Sequence, residues 1–325
     1  MKAAITGASG HVGNVLCESL IEKSVQVRAL VHEFRNELDQ LDLEIVEGNI
    51  LNEDDLERLV DGVDVVFHLA AKISIDNKHH DEIFRINVEG TRNLVNACKK
   101  KRVHRLIHFS TIHTLLMTDV NELIDETKPL VDGHLIAYEH SKAEAERLVL
   151  KAIDEGLDAV ILNPTAIIGP YDYKRSYLGQ ALIRIYLNRI PMLIRGGYDF
   201  TDVRDVVDGA IKAAEKGRKG ERYLLPGKWV SLADLSKMIA IISGGKTPTY
   251  VAHPVIARLG LPFIQMYAKM MREEPLYTTQ SLYILKHSGR NISGEKAGKE
   301  LGYSARPLEE TLIDTFDWYK RNGML

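Results

Sequence analysis

The sequence predicts an α/β fold in which a doubly wound parallel sheet is joined by a smaller, mostly helical C-terminal lobe. Two observations carry this prediction. Up to about residue 165, short β-branched runs alternate with longer amphipathic segments, and most of the short runs are apolar throughout. Runs that are apolar on both faces are typical of strands in parallel sheets, which are buried on both sides. The amphipathic segments are long enough for the right-handed crossovers that connect parallel strands.

The elements follow in order along the first part of the chain. The predicted strands cover residues 3–6, 25–31, 43–46, 63–69, 106–110 and 159–162. The predicted helices between them cover residues 12–22, 54–60, 82–101 and 138–153. Each strand is bounded by turn residues, and each helix shows a repeat close to 3.6 residues.

The pattern changes after residue 164. A loop at 169–172 precedes an apolar helix at 178–187, and a strand and helix around 200–216 with a strand at 223–225 predict a return to the sheet. Glycines and prolines interrupt the helices of the remaining chain. We therefore expect a first domain over 1–168, to which 200–226 return, and a second lobe over 169–199 and 227–325.

Composition excludes several classes of protein. The 325 residues are 45% hydrophobic and 27% charged, and the net charge of −3 lacks the basic excess typical of nucleic-acid binding. Two cysteines cannot form a disulfide framework, and the 12 histidines show no zinc-ligand spacing. No signal-like segment and no run of roughly 20 apolar residues is present. We expect a cytoplasmic protein with no bound metal, no nucleic-acid partner and no membrane span.

A glycine-rich turn joins the first strand directly to the first helix. Its sequence is Thr6-Gly7-Ala8-Ser9-Gly10-His11-Val12-Gly13, with GxxGxxG spacing. Gly7 suits a tight turn, Gly10 allows backbone N–H groups to approach a pyrophosphate, and Gly13 allows close packing of the helix. The helix N-terminus, at His11 and Val12, favours the anion. This turn predicts a Rossmann-type dinucleotide-binding domain.

The end of the second predicted strand discriminates between NAD and NADP. A carboxylate there would bind the ribose 2′-hydroxyl of NAD and repel the 2′-phosphate of NADP. The strand ends with His32, where no carboxylate stands, and Arg35 follows. Both side chains could face a phosphate, so NADP is the preferred cofactor. NAD stays open because Glu33 lies between them.

A tyrosine and a lysine four residues apart form the candidate catalytic pair. The segment Tyr138-Glu139-His140-Ser141-Lys142 begins a predicted helix, so Tyr138 and Lys142 share one face. The Lys142 ammonium is expected to lower the pKa of the Tyr138 phenol from its usual value near 10. Such a phenol could donate a proton to an alkoxide or accept one from an alcohol.

A hydroxyl at the end of the fifth predicted strand completes the candidate site. Thr111 would project into the cleft at the carboxyl edge of the sheet and donate a hydrogen bond to a substrate oxygen. Ser110 is the alternative. The sequence thus predicts Thr111, Tyr138 and Lys142 as catalytic residues.

These motifs together resemble the extended short-chain dehydrogenase/reductase family, the NAD-dependent epimerase/dehydratase family. Further matching segments are Gly48-Asn49-Ile50, His68-Leu69-Ala70-Ala71, Asn87-Val88-Glu89-Gly90-Thr91, residues 163–170 and residues 202–206. The resemblance implies a Rossmann fold, cofactor contacts from Asn49, Ile50, Leu69, Ala70, Ala71, Pro164, Thr165 and Ile167, and a ribose contact from Lys142. It also implies that Asn87 braces the backbone and that Arg204 and Asp205 form an ion pair.

Within that family the chain looks most like the dihydroflavonol reductase and 3β-hydroxysteroid dehydrogenase group. The resemblance implies hydride transfer between nicotinamide and a small-molecule substrate that carries a carbonyl or alcohol group. A nucleotide-sugar epimerase with retained NAD is the first alternative, although Tyr198 stands where epimerases carry Arg, with Arg195 as a substitute. A non-catalytic, cofactor-sensing protein is the second.

Three further expectations concern the substrate pocket and assembly. The predicted helices at 82–101 and 138–153 could form a homodimer face. His113 and His134 could line the substrate pocket. An apolar pocket wall is expected from Pro262, Phe263, Met266, Tyr267, Met270 and Met271.

Overall fold

Fourteen strands and eleven α-helices are assigned in the described part of the chain. The computed structural model describes residues 1–73, 80–133, 136–190, 192–248, 250–253, 257 and 278–325. The strands are β1 (Lys2–Thr6), β2 (Gln26–Val31), β3 (Glu44–Glu47), β4 (Val65–His68), β5 (Arg105–Phe109), β6 (Leu123–Ile124), β7 (Ala159–Pro164), β8 (Ala166–Ile168), β9 (Met192–Ile194), β10 (Gly197–Asp202), β11 (Arg222–Leu225), β12 (Lys228–Ser231), β13 (Tyr250–Ala252) and β14 (Asn291–Ile292). The helices are α1 (His11–Glu22), α2 (Glu53–Val60), α3 (His80–Phe84), α4 (Gly90–Lys101), α5 (Ala137–Asp154), α6 (Tyr177–Tyr186), α7 (Val203–Lys216), α8 (Leu232–Ser243), α9 (Thr279–His287), α10 (Glu295–Leu301) and α11 (Leu308–Arg321).

Seven parallel strands form the central sheet, in the order β11-β7-β5-β4-β1-β2-β3. Alternate side chains of its strands enter different cores. Ile5 packs in a cluster with residues of α1 and α7, whereas Ala4 packs in a cluster with residues of α2, α4 and α5. Both faces of the sheet are therefore covered, which is why its strands are apolar throughout. The predicted doubly wound α/β fold is confirmed.

The strand predicted around residue 200 does not return to this sheet. β10 pairs with β8 in parallel and with β12 in antiparallel orientation, and these three strands form a separate sheet. Only β11 joins the central sheet, beside β7. That expectation was wrong for β10 because an apolar run indicates a strand but does not specify its pairing partner.

The second lobe packs around its own apolar core. This core includes Leu182 of α6, Phe200 of β10, Leu235 of α8, Leu285 of α9 and Phe316 of α11. Four helices and two small sheets thus contribute to one cluster. The predicted helix at 82–101 is divided into α3 and α4 by a π-helical turn at Arg85–Glu89. The homodimer face stays a prediction.

The expected ion pair between Arg204 and Asp205 does not form. Arg204 binds Asp202 at 2.8 Å and Asp314 at 2.7 Å, while Asp205 binds Arg306 at 2.8 Å. Adjacent residues of a helix point in different directions, so the two side chains diverge at the start of α7. The resulting pairs connect α7 to the C-terminal segment.

His68 links three parts of the first domain below the cleft. Its Nδ1 lies 2.8 Å from the Thr6 hydroxyl and its Nε2 lies 2.8 Å from the Thr91 hydroxyl. Thr91 donates its own proton to the Asn87 carbonyl oxygen, so Nε2 donates to Thr91 and Nδ1 accepts from Thr6. Burial, with a smaller effect of the Lys142 charge, lowers the pKa of His68 to about 3.

Because the pKa of His68 is lowered in the folded protein, we expect the free energy of unfolding to fall in acid. Between about pH 6.5 and pH 3 the unfolded chain binds a proton at His68 and the folded chain does not, so the free energy of unfolding falls as the pH falls. We expect His68→Asn, which cannot titrate, to show a shallower fall between pH 7 and pH 4 in urea unfolding. Equal slopes for the variant and the wild type would contradict this assignment.

Candidate active site

A cleft of about 930 Å³ lies between the carboxyl edge of the central sheet and the second lobe. Seventeen of the eighteen residues predicted for the site line this cleft. They are Gly7, Gly10, His11, Val12, Gly13, His32, Asn49, Ile50, Leu69, Ala70, Ala71, Thr111, Tyr138, Lys142, Pro164, Thr165 and Ile167. Arg35 is the exception. The fold therefore brings together residues that are far apart in the chain.

The glycine turn is built to leave backbone N–H groups facing the cleft. Gly7 has φ +74°, and a Cβ there would lie 2.7 Å from the Ala70 nitrogen. A Cβ at Gly13 would overlap the Gly7 carbonyl oxygen. The N-cap of α1, Gly10, supplies no side-chain hydrogen bond to the first turn. An anionic pyrophosphate fits this uncapped helix start and this narrow cradle.

The side chains expected at the ribose 2′ end differ in their placement. His32 lines the cleft, and its Nε2 lies 3.1 Å from Asn49 Nδ2. Arg35 pairs with the carboxylates of Glu47 and Asp39. Arg35 is thus not part of the described lining, and its contact with the cofactor stays a prediction. The chain turns after β2 into a 3₁₀ helix, which directs Arg35 towards the end of β3.

The three candidate catalytic side chains converge in the cleft. Tyr138, Thr111 and Lys142 all line it, and Thr111 is close enough to Tyr138 to favour the ionised form of the phenol. The Lys142 ammonium donates a hydrogen bond of 2.5 Å to the Phe109 carbonyl oxygen. Helix α5 begins at Ala137, so Tyr138 and Lys142 lie one turn apart on the face that meets the end of β5.

The expected lowering of the Tyr138 pKa is not found. Burial, followed by the Glu139 charge, raises the pKa of Tyr138 to about 12, and the lowering effect of the nearby Thr111 side chain only partly opposes this. Burial also lowers the pKa of Lys142 to about 8, against the attraction of Glu146. Desolvation outweighs the lysine charge because both side chains lie inside the cleft.

A buried carboxylate fixes the backbone on which Thr111 sits. Glu146 accepts hydrogen bonds from Ser110 at 2.5 Å and Thr114 at 3.0 Å. Asn163 Nδ2 also reaches Glu146, at 3.2 Å, and donates to the Thr111 carbonyl oxygen at 3.0 Å. Because the Ser110 hydroxyl is engaged with Glu146, Thr111 is the better candidate for a substrate contact.

Asn87 braces the wall of the cleft, as the resemblance implied. Its Oδ1 accepts from the Lys72 N–H at 2.7 Å and its Nδ2 donates to the Lys72 carbonyl oxygen at 3.1 Å. The same Nδ2 donates to the Ser141 hydroxyl at 2.9 Å. The loop after β4 is thereby connected to α5 next to the candidate catalytic pair.

The substrate end of the cleft is walled mainly by apolar side chains from the second lobe. These are Leu178, Ala181, Leu182, Ile185, Ile190, Leu193, Tyr198, Phe200, Leu232, Leu235, Ile284 and Leu285. Arg195, the predicted substitute for an epimerase arginine, is absent from the described lining, whereas Arg184 belongs to it. Sequence reasoning missed this wall because its members come from five separate elements with no shared motif.

Seven of the eight expected pocket residues lie outside the described part of the chain. His134 and the segment containing Pro262, Phe263, Met266, Tyr267, Met270 and Met271 are outside the described residues. His113 lines the cleft, with its Nδ1 3.6 Å from Glu139 Oε1. Burial lowers the pKa of His113 to about 4 and raises the pKa of Glu139 to about 7. His113 is therefore neutral at physiological pH.

Metal and membrane features are not found among the described residues. That part of the chain holds no group of three metal-ligating side chains and no helix with the length and hydropathy of a membrane span. Cys17 and Cys98 are both buried free thiols.

The family model described as "NAD dependent epimerase/dehydratase family" matches residues 3–225. The chain belongs to this family. The resemblance to extended short-chain dehydrogenases/reductases is thereby confirmed, as is the prediction of an NAD(P)-dependent oxidoreductase of this family.

Individual members of the family align with nearly the whole chain. "Sterol demethylase protein B" of Methylococcus capsulatus is 28% identical, and the alignment covers 100% of both proteins. A "Putative dihydroflavonol 4-reductase" of Synechocystis sp. is 30% identical over 98% of this chain and 94% of its own length. The crystal structure of gox2253 superimposes with a TM-score of 0.87 at 30% identity, covering 100% of this chain and 99% of the other.

Proposed function

We propose that this protein transfers hydride between a nicotinamide cofactor, preferably NADP, and the carbonyl or alcohol carbon of a bulky apolar substrate. The observation that supports it best is the convergence of Thr111, Tyr138 and Lys142 in a cleft shared with the glycine turn, with Tyr138 and Lys142 one helical turn apart. The names of the reductase relatives agree with this chemistry.

Thr111, Tyr138 and Lys142 have separate roles in carbonyl reduction. NADPH, when bound, supplies the hydride that the carbonyl carbon accepts. Thr111 donates a hydrogen bond to the substrate oxygen, and Tyr138 delivers the proton that converts the developing alkoxide into an alcohol. Lys142 holds a positive charge near this oxygen and offers an N–H to the ribose. Because burial raises the pKa of Tyr138 to about 12, the phenol carries at neutral pH the proton that carbonyl reduction requires.

Apolar substrates are favoured by the walls of the substrate end. Aliphatic side chains from α6, α8, α9 and β9 surround the space next to Tyr138. Burying an apolar skeleton there releases water, with a gain of roughly 25 cal/mol per Å². It would also leave the polar carbonyl free to contact the hydroxyls of Thr111 and Tyr138.

A nucleotide-sugar epimerase remains the second candidate function. Arg184 lines the substrate end and is a cation that could contact a diphosphate. Tyr198, however, occupies the place where the resemblance predicts the epimerase arginine, and the surrounding wall is apolar. A cofactor-sensing protein would have no use for the converging catalytic side chains.

Cofactor consumption tests the proposal. The purified protein is incubated with NADPH or NADH and either a panel of bulky apolar ketones or a panel of nucleotide sugars, and the absorbance of reduced nicotinamide is followed. We expect stoichiometric oxidation with one or more ketones. Isomerisation of a nucleotide sugar without net cofactor oxidation, by protein purified with bound NAD, would overturn the proposal in favour of the epimerase.

A further inference from the structure

Lys174 connects the second lobe to the cofactor end of the cleft. It lies in the loop between β8 and α6, and its ammonium donates a hydrogen bond of 3.0 Å to the Ser9 hydroxyl in the glycine turn. The same ammonium lies 4.8 Å from the centre of the Phe34 ring, just beyond the end of β2. Lys174 and Ser9 both line the cleft.

The position of Lys174 corresponds to the ribose 2′ end of a bound dinucleotide. In a Rossmann-type domain the pyrophosphate lies on the helix N-terminus, and the ribose 2′ position lies beside the end of the second strand. The Lys174 ammonium contacts residues from both places, Ser9 before α1 and Phe34 after β2. A phosphate at the ribose 2′ position would therefore meet an ammonium and a hydroxyl.

The loop holds Lys174 in this place through contacts on both of its sides. The His11 ring Nε2 lies 2.8 Å from the Pro170 carbonyl oxygen, which ties the loop to the first residue of α1. Asp172 accepts hydrogen bonds from the Ser176 N–H and hydroxyl. Tyr171 and Arg175 have φ of +69° and +52°, which non-glycine residues adopt only where the surrounding structure imposes it.

We propose that Lys174 and Ser9 form a phosphomonoester subsite that binds the 2′-phosphate of NADP. The inference rests on the proposed function, because it assumes a nicotinamide dinucleotide in the cleft. The cation comes from the second lobe, whereas Arg35 is engaged by Glu47 and Asp39. Bound NADP would thus contact both lobes. The preference for NADP would depend on a residue that is far in sequence from the end of β2.

Glu33 opposes this subsite. Burial lowers the pKa of Lys174. The nearby Glu33 carboxylate opposes this effect, because its negative charge stabilises the charged form of the lysine. The same carboxylate would repel a 2′-phosphate. Lys174 and Glu33 therefore have opposite effects on the preference for NADP, and the two can be tested separately.

Binding measurements test the subsite without turnover. Dissociation constants of NADPH, NADH, adenosine 2′,5′-bisphosphate and ADP are measured by titration calorimetry for the wild type and for Lys174→Met. We expect the substitution to weaken NADPH and the 2′,5′-bisphosphate about tenfold or more, since a charge-assisted hydrogen bond is lost. NADH and ADP should change less than about twofold.

Three further variants serve as controls. Lys299→Met, at an exposed position on α10, removes the same charge far from the cleft and should leave all four constants unchanged. Arg35→Met should weaken NADPH much less than Lys174→Met. Glu33→Gln should tighten NADPH and leave NADH nearly unchanged.

Each contrary outcome has a distinct meaning. If Lys174→Met weakens NADPH and NADH equally, Lys174 contacts the pyrophosphate and the 2′-phosphate subsite is overturned. If only Arg35→Met weakens NADPH, the subsite lies at Arg35 and the inference is again overturned. A wild type that binds neither NADPH nor NADH would instead refute the proposed function.

Discussion

Replacing Tyr138 by Phe is expected to lower kcat by about 10²- to 10⁴-fold, the usual contribution of a general acid or base. The variant loses only the phenol hydroxyl and keeps the ring that lines the cleft. The dissociation constant of NADPH should change less than about twofold, because the glycine turn and α1 are untouched. Steady-state kinetics with an accepted ketone, together with a fluorescence titration of NADPH, measure the two quantities.

The matched control for this substitution is Tyr250→Phe, which removes the hydroxyl of a tyrosine that is 73% exposed. It should leave kcat unchanged. A Tyr138→Phe enzyme with kcat within about tenfold of the wild type would show that another group moves the proton.

Removing the Glu146 carboxylate is expected to cost about 3–5 kcal/mol of the free energy of unfolding. Glu146 is fully buried, and its partner Arg222 lies in an ion pair with it at 2.5 Å. In Glu146→Leu, the guanidinium of Arg222 loses its carboxylate partner and the hydroxyl of Ser110 loses its acceptor inside the protein. Urea unfolding of the variant should show a much lower midpoint with a similar slope.

Two companion variants separate the buried charge from the helix. Glu155→Gln changes a solvent-exposed carboxylate just after α5 and should shift the midpoint little, since exposed ion pairs contribute little. Glu146→Leu with Arg222→Met should recover part of the lost stability, because no unpaired charge remains. A Glu146→Leu protein as stable as the wild type would refute the role given to this network.

Local patterns were enough to predict the central sheet and to predict that Thr111, Tyr138 and Lys142 line one cleft. The turn from Gly7 to Gly13 joins a strand to a helix without intervening residues, so its role follows from the chain itself. Tyr138 and Lys142 are four residues apart on one helix, and their common face is fixed by helix geometry. Each of these inferences needs only neighbours in the sequence.

The remaining features depend on contacts between distant segments. Lys174 reaches Ser9 across 165 residues, and nothing in either local pattern indicates it. Arg35 carries the right charge at the right distance from β2, yet Glu47 from the next strand engages it. The pKa of Tyr138 likewise depends on how deeply the folded chain buries the phenol, which the spacing to Lys142 cannot tell.

Deuterium transfer tests the central claim, that the cleft carries out a redox reaction on the substrate itself. The protein is incubated with an apolar ketone and NADPH deuterated at the transferring position of C4, and the product is analysed by mass spectrometry. We expect an alcohol that carries one deuterium, formed in equal amount with NADP, and formed about 10²- to 10⁴-fold more slowly by Tyr138→Phe. Turnover that yields an isomer of the substrate without deuterium and without oxidised cofactor would contradict this account.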